Sequence, residues 1–89
     1  MRDKLKEVYK MTRRIKSGET LTEEESKQYL ELTKTVTEFI NSVDNDYAAD
    51  CLTERYINGK SWCTIADELG QMTEDAVRKC CVRTIQRYS

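Results

Sequence analysis

The sequence predicts an all-α protein, and three observations carry that prediction. There is no proline and there are only three glycines, so few positions interrupt a helix. Apolar residues recur at three- and four-residue intervals along most of the chain instead of alternating. Helix start and stop signals then divide the 89 residues into five segments. The expected arrangement is an N-terminal helical hairpin over residues 1–43, followed by a three-helix bundle over residues 44–89. One domain of this length supports a single modest core.

The first helix is expected over residues 2–17, where Leu5, Val8, Tyr9, Thr12 and Ile15 form one stripe. Lys16 suits the carbonyl end of the helix dipole, and Gly18 can take a left-handed cap. Thr22 with Glu25 three residues on is a capping-box pattern that starts the second helix. Its stripe is Tyr29, Leu32, Val36, Phe39 or Ile40, and Val43. That stripe is expected to pack on the first helix across a short loop, and a self-association seam is the competing use. Asp44, Asn45 and Asp46 offer N-caps for a third helix. Its buried stripe is Tyr47, Ala48, Cys51, Leu52, Tyr56 and Ile57, and Asn58-Gly59 stops it. Ser61 caps the fourth helix, with Trp62, Ile65, Ala66 and Leu69 facing the core. Gly70 ends that helix and Thr73 caps the fifth, whose stripe is Val77, Cys80, Cys81, Thr84, Ile85 and Tyr88.

A net charge of −1 hides strong segregation. Residues 1–17 carry seven basic and two acidic groups, and residues 18–50 carry two basic and nine acidic. Residues 76–89 carry four basic groups and no acidic one. A nucleic-acid binder needs a local positive face, not a basic total, and this chain offers one at each end. For the basic first helix, pairing with Glu24, Glu31 and Glu38 on the second is the favoured reading. Contact with DNA backbone through Arg13 and Arg14 is a second, and a simply solvated charged face is a third.

Other functions are argued against. No apolar run is long enough for a membrane span or a secretory segment, so a cytoplasmic protein is expected. Cys51, Cys63, Cys80 and Cys81 then read as reduced thiols, with Cys63 the most exposed. With no histidine and no Cys-x-x-Cys spacing, neither a metal site nor another cofactor is expected. The lack of a phosphate-cradling glycine loop, or of a nucleophile beside a base, argues against an enzyme.

Residues 55–88 hold the most specific pattern. Two helices crossing closely need a small residue at the contact, a flexible turn, and apolar residues that hold the second helix. Ala66, Gly70, and Val77 with Cys81 supply these in turn. A helix-turn-helix is expected here, its second helix over residues 74–88 lying in the major groove. The DNA-contacting set is Lys60, Ser61, Thr73, Asp75, Arg78, Lys79 and Arg83. Arg78 and Lys79 reach bases or phosphates and Arg83 a phosphate. Lys60 and Ser61 precede free helix amides that hold a phosphate. Asp75 can accept a hydrogen bond from cytosine, or else, with Glu74, simply stabilise the helix start.

Arg55-Tyr56-Ile57, Gly59-Lys60-Ser61-Trp62, Ile65-Ala66 and Leu69-Gly70, followed by Thr73 and Val77-Arg78, resemble the region-four domains of sigma factors. The small phage-encoded versions are the nearest in pattern. The resemblance covers about residues 40–88 well and residues 1–39 in layout only. It implies a transcription regulator acting on promoter or operator DNA, with Trp62 anchoring the core. The turn Gly70-Gln71-Met72-Thr73 is one residue longer than in many such domains, and Glu74-Asp75 stands where a DNA reader often presents basic or amide groups. The expected partners are double-stranded DNA and a second copy docked through the hairpin. The alternative is a protein-interaction module that binds RNA polymerase, a repressor or a host defence protein through its acidic surface.

Overall fold

The computed structural model of the chain describes residues 1–70 and 73–88. Within them it is all-helical: α1 (Arg2–Lys16), α2 (Glu23–Asn41), α3 (Asp46–Leu52), α4 (Trp62–Leu69) and α5 (Glu74–Tyr88). A π-helical segment, Thr53–Ile57, continues directly from α3. None of these helices is long and apolar enough to cross a membrane. The turn residues Gln71 and Met72, on which the turn-length expectation rests, lie outside the described residues.

The caps form where side-chain chemistry places them. Thr22 accepts a hydrogen bond from the Glu25 amide at 3.1 Å, and the Glu25 carboxylate accepts one back from the Thr22 amide. Together these satisfy two of the amides that a helix start leaves unpaired. Asn45 caps α3 through the Ala48 amide, Ser61 caps α4 through that of Thr64, and Thr73 caps α5 through that of Ala76. Gly70 closes α4 with φ +75°, a left-handed backbone that few other residues adopt without strain.

A single core unites the helices. Leu5 and Val8 of α1 meet Val36, Phe39 and Ile40 of α2; Ala48, Cys51 and Leu52 of α3 join them to Ile65 and Ala66 of α4 and Val77, Cys81 and Ile85 of α5. Polar contacts tie α1 to α2 as well. Thr12 and Tyr29 share a hydroxyl hydrogen bond of 2.9 Å, and Arg14 donates to Glu25 at 2.6 Å.

At three places these elements differ from what their sequence predicts. Ile15 is 43% exposed, whereas Met11, absent from the predicted stripe, is buried. Ile15 belongs to the last turn of α1, and it borders a shallow hollow with Leu21, Tyr29 and Leu30. The third helix reaches Ile57 as expected, but its second half winds as a π-helix: the Asn58 amide bonds back five residues to the Thr53 carbonyl. Trp62 is not a core residue. It is half-buried against the core's edge.

Gly59 makes the tightest backbone approach. A Cβ there would stand 2.8 Å from Cγ2 of Thr12, and φ is +66°. Gly59→Ala is therefore expected to destabilise the fold by about 1–3 kcal/mol in a urea melt, combining strain with the clash.

Candidate nucleic-acid interface

α5 buries Val77, Cys81, Thr84 and Ile85 along one side. At 100° per residue the opposite side is centred on Asp75, Lys79, Val82, Arg83 and Gln86, with Arg78 at its edge. All six are exposed, Val82 at 45%. This face holds three cations, one carboxylate, one amide and one apolar side chain, a mixture able to touch both phosphates and base edges.

Three of the predicted contact residues are gathered into one cluster. Asp75 accepts from Arg78 at 2.6 Å and pairs with Lys79 at 3.0 Å, the neighbours one turn on. The Arg78 hydrogen bond first, and Lys79 second, hold the Asp75 carboxyl below its ordinary range. With more than half of each side chain exposed, such pairs are screened by solvent and open readily. Arg83 makes no hydrogen bond or ion pair among the described residues. A hollow lined by Trp62, Glu74, Asp75 and Arg78 places the start of α4 beside the start of α5.

The residues ahead of α4 are used differently. The Lys60 ammonium pairs with Glu54 and, at 2.7 Å, with Glu68, joining the π-helical segment to α4. Glu54 first and Glu68 second raise the Lys60 pKa, and Lys60 lowers that of Glu54. Its charge is thus already matched within the chain. Ser61 and Thr73 both serve as N-caps.

The basic α1 is also engaged internally. Arg13 donates to the Gly59 carbonyl at 3.1 Å, and Arg14 bridges Glu19 and Glu25. Pairing of α1 with α2 therefore runs through Glu25. The favoured partners Glu24, Glu31 and Glu38 are exposed and make no ion pair among the described residues. The Arg14 hydrogen bond, with that from the Thr22 amide, draws the Glu25 pKa down to about 2 from an ordinary 4.5. A depressed carboxylate stabilises the fold above its ordinary pKa, and that contribution disappears as pH falls from 4.5 towards about 2. Glu25→Gln is expected to flatten the acid side of the stability profile over that window, as read by chemical melts at stepped pH.

Sequence reasoning missed Arg55. Its guanidinium carbon lies 3.9 Å from the Tyr9 ring centroid and 4.0 Å from that of Trp62, so one ring covers each face. An Nη donates to the Lys60 carbonyl at 3.1 Å, while the buried Nε finds no partner. This stack fastens α1 and the π-helical segment to the first residue of α4, the helix against which α5 packs. The arginine and both rings were visible in the sequence, but Tyr9 is 46 residues distant and nothing local announces the pairing.

Cys51 and Cys81 are buried, Cys80 is half-buried and Cys63 is exposed. Burial pushes the Cys51 thiol up to about 11 and raises that of Cys81 further. Thiolates are the reactive form, so Cys63 is expected to alkylate first at neutral pH. Cys51 and Cys81 should react only on unfolding, a difference that mass spectrometry of timed iodoacetamide reactions will resolve.

No protein-family model, curated protein or solved structure matches the chain.

Proposed function

We propose that α4, the turn after Gly70 and α5 form a helix-turn-helix, preceded by a hairpin of α1 and α2, and that α5 lies in the major groove of duplex DNA. One observation carries this reading: the face of α5 opposite its buried seam presents Arg78, Lys79, Arg83 and Gln86 together. Arginine and lysine suit guanine edges and phosphates, and glutamine suits adenine. The N-caps Ser61 and Thr73 fix the starts of both helices, so the rigid elements, not loops, would present the contacts. In this reading the protein is a transcription regulator of the sigma region-four type from a phage or other mobile element. It acts as a dimer, because one helix this short buries little surface on DNA.

Asp75 gives two distinct expectations. If it only clamps Arg78 and Lys79, Asp75→Asn frees both and strengthens binding to every duplex, by several-fold at low salt. If it reads cytosine, the same change weakens binding at sites bearing that base and relaxes the preference, at about 1–3 kcal/mol. Comparing matched and mismatched duplexes separates the two.

A second reading is favoured by the same cluster. Asp75 and Glu74 offset Arg78 and Lys79, leaving the first turns of α5 without net charge, and Glu24, Glu31 and Glu38 remain exposed and unpaired on α2 among the described residues. A protein partner such as RNA polymerase, a repressor or a host defence factor would bind there. Selection from a random duplex pool decides between them. The DNA reading expects an enriched motif, with half-sites about 34–36 Å apart if a dimer binds. The protein reading expects no enrichment, and a host protein that co-purifies through high salt.

A further inference from the structure

A groove of about 360 Å³ runs between α5 and the junction of α2 with α3. Val43, Ala48 and Ala76 contribute apolar surface to it, with the half-buried Cys80 beside them. Lys79, Arg83 and Arg87 stand along its α5 wall, one helical turn apart. No carboxylate lines it. The exposed Asp44 and Asp46 flank Asn45 at its edge, and the Tyr88 hydroxyl accepts from the Asp44 amide at 3.4 Å to close one end.

We propose that this groove binds a small organic anion with a flat apolar body, and that such a ligand competes with DNA for Lys79 and Arg83. The volume falls in the range of small-molecule sites and is too small for a folded partner. Charge complementarity selects an anion. Of the three cations, Lys79 shares Asp75 and Arg87 lies 6.0 Å over the Tyr88 ring, while Arg83 in the middle of the row has no partner among the described residues. A carboxylate or sulfonate on Arg83 would meet an unused charge, with its ring on the apolar surface. The competition half rests on the DNA reading; the ligand site does not.

The test uses 8-anilino-1-naphthalenesulfonate as the anionic probe and N-phenyl-1-naphthylamine as its neutral counterpart. The site predicts saturable one-site binding of the sulfonate, with amide shifts confined to residues 43–48 and 76–88. Arg83→Ala should weaken it by about tenfold or more, the loss of one charge-assisted hydrogen bond, with unchanged circular dichroism. The neutral probe should bind more weakly by a similar factor. Shifts centred on Ile15 and Leu30, equal binding of both probes, or indifference to Arg83→Ala overturns the site. In a separate arm, saturating sulfonate should release a bound duplex. Retention of the duplex overturns the competition, and failure of the protein to bind any duplex sinks the DNA reading while the titration still judges the site.

Discussion

Replacing Arg55 with alanine is expected to lower the melting temperature by about 12–24 °C, the effect of about 3 kcal/mol on a domain of this size. Two stacked rings at 3.9 and 4.0 Å contribute about 0.5–2 kcal/mol each, and the charged hydrogen bond to the Lys60 carbonyl adds to them. The unpartnered Nε offsets part of this total. Arg55→Lys keeps the charge but loses the planar group that lies flat between two rings, so it should recover less than half of the loss. Full recovery by lysine would show that charge alone matters there. Tyr9→Leu should reproduce part of the alanine effect from the other side of the stack, and a double mutant with Arg55→Ala should be less than additive.

Leu52→Ala is expected to cost about 2–5 kcal/mol in a denaturant melt. Leu52 is fully buried where α3 ends and the π-helical segment begins, inside the cluster that joins all five helices. Truncation there leaves a void that surrounding side chains, held in close packing, fill only in part. The whole fold is worth about 5–15 kcal/mol, so this single change removes a large fraction of it. Leu30 provides the internal comparison. At 69% exposure, its replacement by alanine should shift stability by about 0.5 kcal/mol or less. Equal losses at the two positions would contradict the placement of the core.

The parts of this fold that could be read from the sequence are those settled within one helical turn. The Thr22–Glu25 capping box, the caps at Asn45, Ser61 and Thr73, and the Gly70 stop each depend on neighbours one to four residues away. The buried sides of α2 and α5 are legible because their apolar spacing repeats over several turns, although Tyr88, at the end of the α5 stripe, is 36% exposed. Ile15 was misread because periodicity says which side a residue occupies, not how far the covering helix extends. The π-helical winding changes the register by one residue over a single turn, too short for any period to show. Spacing and resemblance both put Trp62 in the core, yet its ring serves as one wall of the Arg55 stack. Lys60 reads as a phosphate contact ahead of a helix; that two carboxylates, at Glu54 and Glu68, converge on it is a property of the folded chain alone.

The α5 face was legible in a different sense. Arg78, Lys79 and Arg83 follow from subtracting the buried stripe, and the same subtraction places Val82 and Gln86 beside them. The Asp75 clamp follows from spacings of three and four, the ordinary reach of an acid to a cation further along a helix. Under the proposed reading both cations leave Asp75 for phosphate, because the two ion pairs are exposed and a duplex holds the larger charge.

In the proposed reading α5 carries a DNA-reading face. Its most direct test is the affinity for a selected duplex measured from about 50 to 200 mM salt, for the native chain and for Arg78→Ala and Arg83→Ala. Steep weakening with salt is expected in the native chain. Arg83→Ala should lower the slope by about one and weaken all sequences alike, whereas Arg78→Ala should cost about 1–3 kcal/mol and relax the preference at one position. Duplex binding that is absent at low salt, or a slope and affinity indifferent to both substitutions in folded protein, would contradict it.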